Sequence, residues 1–298
     1  MADKGSILVQ FSEALSQIAE SARAIVAQIR TAEGRRLSGV LWKQNAVVAS
    51  EQVLPDAQDF EVTIGGHVVK AQLAGRDQGT NVAVLKLESE VAQALPAFAT
   101  AKVGALALVS SIGANGLATR LATIRSVGGA WQSLAGATID QRIVLNAPIN
   151  SSEEGGPVLA ADGSLLGFAT CGAKGQFLVI PAATVDKAVV ALLETGSIER
   201  GWLGVALRPV ALPDALRPKD SQTVGLMVMD VGADSPAAKA GVLAGDIVLS
   251  AGGAPATRFG KIARQLGPNS IGKTIDITLA RAGTIVTCEA VIGTRPSG

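Results

Sequence analysis

SSEEGGPVLAADGSLLGFAT, residues 151–170, reads as a strand, a tight turn at Asp162-Gly163 and a second strand. Short strands of this kind fill the chain on either side. From Arg36 to Leu87, RLSGVLWK, AVVASEQVL, FEVTIGG, VVKAQLAG and VAVLKLE are separated by Asn, Pro-Asp, Gly-Gly and Arg-Asp punctuation. LALVSSIG, ATRLATIRSV, TIDQRIVLNAP and FLVIP form a second set around the quoted hairpin. Two consecutive clusters of short strands with little helix between them predict a mostly β chain with two packed barrels or a sandwich.

Helix is expected in few places. Residues 12–30 put Leu15, Ile18, Ala22, Ile25, Val26 and Ile29 at helical spacing, although AIVAQIR also alternates as a strand would. PAATVDKAVVALLETGS, 181–197, starts on Pro181 and stops on Gly196, the expected punctuation of a closing helix and a domain boundary. Beyond it, five strands (WLGVALRPV, TVGLMVMDV, DIVLSAGG, TIDITLARAG, IVTCEAVIG) and two short helices, 235–241 and 258–267, make a complete α+β domain. The predicted organisation is a helical or extended segment over 1–35, a double barrel over 36–197 and a small domain over 198–298.

Composition narrows the function. With 298 residues, 48% apolar and 17% charged, the chain supports two cores. A net charge of +1 argues against a nucleic-acid-binding face, and scarce aromatics (Trp 3, Phe 6, Tyr 0) argue against a base-stacking platform. Cys171 and Cys288 lie too far apart in sequence for a metal or disulfide framework, so both read as small hydrophobes, and no cofactor is expected. No apolar run reaches the roughly 20 residues of a membrane span. The N-terminus lacks a secretory h-region, which predicts a cytoplasmic protein, or a periplasmic one whose leader has been removed.

Several stretches resemble the HtrA (DegP-like) family, a chymotrypsin-like serine protease domain followed by a PDZ domain. RGWLGV (200–205), GLMVMDVGADSPAAKAGVLAGDIVLSAGG (225–253) and the short helix near 258–267 resemble the PDZ domain. SGVLWKQNAVVASEQVL (38–54), GRDQGTNVAVLKLE (75–88), APINSSEEGGPVLAADGSLLGFAT (147–170) and FLVIPAATV (177–185) are similar to the protease domain. The resemblance implies a chymotrypsin-like double β-barrel followed by a C-terminal α+β PDZ domain.

It also places the triad. The family's histidine falls on Gln52, its aspartate on Asn81, its serine on Glu154 and its oxyanion-hole glycine on Ser152. Gln52 takes no proton near neutral pH, and a carboxylate at Glu154 opposes a developing oxyanion. The sequence therefore predicts a non-catalytic pseudoprotease, with an active peptidase whose site aligns elsewhere as one alternative and a structural subunit of a partner complex as another. His67, the one histidine, reads as an edge-strand residue; Ser151 and Ser152 read as loop serines. Glu153 and Glu154 read as a solvated acidic loop, too few ligands for a metal.

In the PDZ domain the resemblance implies that Leu203, Gly204 and Val205 hold a peptide carboxylate. Val205, Ala206 and Leu207 pair with the peptide as a strand, and Ile262 and Leu266 line its side-chain pocket or belong to the core. The partners implied are C-terminal or unfolded peptide segments, an active HtrA paralogue, and further copies of the chain in a homo-oligomer, a trimer by resemblance.

Overall fold

The computed structural model describes residues 6–113, 115–133, 135–217, 222–267 and 270–294. The first residues of the predicted N-terminal segment, 1–5, lie outside the described residues. The described chain forms two units: residues up to 131 with 139–197, and residues from 198 onward grouped with 132–138.

The first unit holds two closed six-stranded barrels. Around the first run Val26–Arg30, Arg36–Lys43, Ala46–Ser50, Val82–Leu87, His67–Asp77 and Asp59–Ile64, and Val26–Arg30 closes it by pairing antiparallel with Asp59–Ile64. Val40, Val47, Val62, Ile64, Val84 and Leu85 of its strands are fully buried, on one face of the barrel wall or the other. The second barrel runs Arg142–Leu145, Phe177–Pro181, Leu165–Cys171, Pro157–Ala160, Leu106–Gly113 and Gly116–Gly128. Its core includes Val158, Leu166, Ala169 and Phe177. The 151–170 hairpin is present as expected, with Gly163 at φ 81° in the turn and its N–H donating to Ala160 O at 3.0 Å.

The N-terminal helix is shorter than helical spacing suggests. It spans Ile7–Arg23, and Val26–Arg30 is instead the first barrel strand. Alternation wins there because Val26, Ala27 and Ile29 bury themselves in the barrel, while only Ala22 of the helix is buried. The closing helix, Ala182–Thr195, follows Pro181 and ends on Gly196 in the left-handed region (φ 74°). It buries Val185, Ala188, Val189 and Leu192, and Trp42 Nε1 of the first barrel donates to Asp186 at 3.1 Å.

The second unit has a sheet in the order Val205–Ala211, Val224–Val231, Ile247–Ala251, Thr274–Arg281, Thr284–Val291, with Val205–Ala211 at one edge. Ser235 caps the short helix Pro236–Lys239 by accepting from Ala238 N. The helix expected over 258–267 is α-helical only at Phe259–Ala263 and tightens into a 3-10 turn at Arg264–Leu266.

Buried Asp246 is bound twice by Arg281, Nε to Oδ1 at 2.8 Å and Nη2 to Oδ2 at 2.7 Å. The Arg281 guanidinium, helped by the Leu243 N–H and opposed by burial, holds the Asp246 carboxyl below its ordinary 3.8. A depressed folded-state value stabilises the fold above the unfolded value and is lost as pH falls through the folded one. Acidification below 3.8 is therefore expected to lower the unfolding midpoint of the wild type more than that of Asp246→Asn, followed by circular dichroism.

Candidate functional site

The positions that the resemblance aligns with a triad converge at the seam between the two barrels. Ser50 ends one strand, and Gln52 sits on the following 3-10 turn, Glu51–Val53. Asn81 precedes strand Val82–Leu87 at φ 59°, a left-handed conformation that Asn accepts more readily than most residues. Glu154 lies in the turn before Pro157, and Thr170 and Cys171 end the strand that faces it.

Glu154 Oε1 is the hub. It accepts from Ser50 Oγ at 3.1 Å, Thr170 Oγ1 at 3.1 Å, the Cys171 N–H at 3.4 Å and Gln52 Nε2. Gln52 Nε2 also lies 3.2 Å from Thr170 Oγ1 and from Cys171 O. Asn81 uses both ends of its amide: Oδ1 accepts from the Gln52 N–H at 2.9 Å, and Nδ2 donates to Thr170 Oγ1 at 2.8 Å. Chemically, the amides of Gln52 and Asn81 orient neighbours but do not titrate, and Glu154 brings the carboxylate that accepts the Gln52 hydrogen bond.

The loop leading into Glu154 is fixed by different contacts. Arg120 Nε meets Glu153 Oε1 at 2.7 Å, and Arg120 Nη1 donates to Pro148 O at 2.6 Å. Glu153 Oε2 accepts from the Asn150 N–H at 2.7 Å. Ser38 Oγ donates to Ser152 O at 2.6 Å and accepts from Ile112 N at 2.8 Å, so Ser152 is held through its carbonyl. Glu153 and Glu154 are buried, at 5% and 6% exposure, which corrects the expectation of a solvated acidic loop. The ion pair to Arg120 and the four donors on Glu154 compensate that burial.

Gly155 and Gly156 make the close approach possible. A Cβ on Gly155, which has φ 85°, meets Ser38 O at 2.2 Å, and one on Gly156 meets Ser110 O at 2.1 Å. Gly155→Ala is expected to destabilise the first unit by about 2 kcal/mol or more in urea titration, because left-handed strain adds to a backbone clash. Sequence reading missed Ser38, Ser50, Arg120 and Thr170, which bear no motif of their own. His67, exposed at the start of its strand, is not in the cluster, and the described residues contain no group of three or more acidic, His or Cys side chains placed to hold a metal.

In the second unit, Gly204 has φ 77°, and a Cβ there meets Ser235 Cβ at 2.2 Å. Its carbonyl accepts from Gly232 N and that of Leu203 from Ala237 N, which pins the 203–205 turn against the neighbouring loop. Leu203, Val205, Leu207 and Ile262 line one small apolar cavity. Ala206 points outward and is exposed, so it offers only its backbone. Leu266 packs against the core and does not line the cavity, because the 3-10 turn displaces it from the helical register.

Two closed barrels with a polar seam, followed by a PDZ sheet with an open edge strand, define a trypsin-like peptidase fold joined to a PDZ domain. The trypsin-like peptidase domain family matches residues 37–168, and the PDZ domain family matches 201–292. A probable periplasmic DegP-like serine endoprotease of Rhizobium meliloti is 31% identical over 263 residues, 84% of this chain and 51% of the relative. One from Halomonas elongata is 26% identical over 281 residues, 91% of this chain and 59% of the relative. The serine endoprotease from Yersinia pestis superposes with a TM-score of 0.73 at 25% identity, covering 95% of this chain and 98% of that one. The HtrA-type protease AlgW with tripeptide gives 0.73 at 26%, with the same coverage. The chain carries a trypsin-like peptidase domain and a PDZ domain in the order of the HtrA/DegP-type proteins it is similar to, and spans about half the length of the curated relative first described.

These relatives correct one expectation. The sequence reading made the chain a non-catalytic pseudoprotease, yet the proteins it matches are named serine endoproteases and HtrA-type proteases. Gln52, Asn81 and Glu154 converge at the seam.

Proposed function

We propose that this chain binds polypeptide C-termini in its PDZ domain, within the architecture of an HtrA-type endoprotease. The observation behind it is the edge strand Val205–Ala211, running out of a left-handed Gly204 turn and flanked by Ile262 on the short helix. An extended peptide adds a strand to such an edge, and backbone N–H groups of the turn take its carboxylate. The AlgW neighbour was solved with a tripeptide, which favours the same role here. Fluorescence anisotropy with a labelled peptide tests it: saturable binding is expected, and loss of binding in Gly204→Val, whose side chain fills the turn against Ser235, places the ligand.

The proteolysis named for the relatives comes to this chain as part of the same proposal. It runs through the seam cluster, where the Ser50 and Thr170 hydroxyls are bonded to the Glu154 carboxylate, the general base of this reading. Cleavage of fluorescent casein is expected to fall roughly 100-fold or more in Glu154→Gln, the usual effect of removing a general base. Labelling with a serine-directed fluorophosphonate followed by peptide mapping identifies the nucleophile. The relatives' periplasmic setting is proposed here too; among the described residues no helix is long and apolar enough to cross a membrane. Self-association through helix Ile7–Arg23, which exposes Ile7 and Leu8, is proposed from its apolar surface, and light scattering of the intact chain measures it.

A further inference from the structure

The open edge strand Val205–Ala211 carries an exposed proline, Pro209, in its outer half. The strand's inner bonds fall on its even positions. Gly204 O accepts from Gly232 N at 2.8 Å at one end, and Leu212 N donates to Thr223 O at 2.9 Å at the other. The register shift at Ala206/Leu207 skips Met229 on the partner strand, so alternation along Val205–Ala211 itself is unbroken. In an antiparallel ladder the odd positions then turn their backbone groups to the open side, and Pro209 is one of them. Val205, Leu207 and Ala211 each present an N–H and a C=O there. Pro209, whose nitrogen carries no hydrogen, presents a C=O alone. We propose that Pro209 ends the peptide-pairing ladder, so that this edge recognises only about the last four residues of a polypeptide. The inference rests on the peptide-capture reading and adds to it the length of segment captured.

A peptide entering with its carboxylate at the Leu203–Val205 turn runs antiparallel to the strand. Its final residue comes opposite Val205, its third-last opposite Leu207 and its fifth-last opposite Pro209. The first two of these pairs exchange bonds in both directions. At the third, the peptide C=O meets the pyrrolidine ring instead of a donor. A carbonyl that gives up water for carbon loses more than one that stays solvated, so residues further from the carboxylate remain in water. A proline on an edge also blocks strand-to-strand pairing between copies of the chain. The same residue thus leaves the edge open to a short segment and closed to a long one.

The test uses the full chain and two labelled peptides with free C-terminal carboxylates, titrated by anisotropy. One is an apolar tetrapeptide; the other is the same peptide lengthened by four N-terminal threonines, which favour strand pairing. The wild type is expected to bind the two within about twofold of each other. Pro209→Ala restores the N–H and is expected to bind the longer peptide about fivefold more tightly than the wild type does, with the tetrapeptide unchanged. A longer peptide bound about fivefold or more tightly than the tetrapeptide by the wild type overturns the length limit while leaving peptide capture standing. So does a folded Pro209→Ala variant whose affinities for the two peptides stay equal. Failure of both peptides to bind either protein overturns the capture reading, and the length limit with it. The wild-type comparison is decisive even if Pro209→Ala fails to fold.

Discussion

Amidating the C-terminus of a peptide ligand is expected to weaken its binding about 100-fold. In the proposed complex the carboxylate meets backbone N–H groups of the Leu203–Val205 turn, held open by a glycine at φ 77°. Each hydrogen bond to a charged group contributes about 1.5–3 kcal/mol, so losing the charge across two of them accounts for the factor. The remainder of the peptide pairs with Val205–Ala211 through its backbone in either form. An amidated peptide that binds as well as the free acid contradicts recognition of C-termini and points to internal segments.

Glu154→Ala is expected to destabilise the first unit by about 3 kcal/mol, read as an earlier urea midpoint with unchanged slope. The buried carboxylate draws together Ser50 and Gln52 from one barrel and Thr170 and Cys171 from the other. Truncation leaves the Thr170 hydroxyl and the Cys171 N–H facing a cavity without Oε1, while Ser50 Oγ keeps Asn81 Oδ1 and Gln52 Nε2 keeps Cys171 O. Glu154→Gln keeps an oxygen in place and is expected to lose much less stability while still losing its proton acceptor. The pair of variants therefore separates two roles of one side chain. A similar loss in both makes the charge the main contributor; no loss in either shows that the seam is held elsewhere.

The fold was readable because its signals are local. Alternating strands, the Asp162-Gly163 turn, and the Pro181 and Gly196 helix boundaries lie within a few residues of the structure they specify. At residues 24–30 local signals conflict, and the closing of the barrel decided for a strand. The candidate site was only half readable. Gln52, Asn81 and Glu154 are found by likeness, but Ser50 and Thr170 are ordinary strand residues whose role appears when two barrels meet. The burial of Glu153 depends on Arg120, 33 positions earlier in the sequence, and two adjacent glutamates give no hint of it. Leu266 shows the same limit on a smaller scale. Helical spacing puts it beside Ile262, whereas the last turn is 3-10 and rotates it away.

Amide NMR spectra of the isotopically labelled chain, titrated with a peptide that has a free C-terminal carboxylate, test peptide capture most directly. Shift changes centred on Leu203–Leu207 and Ile262, saturating with the anisotropy curve, are the predicted result. Changes confined to the seam around Gln52 and Glu154, or none at saturating peptide, would contradict it.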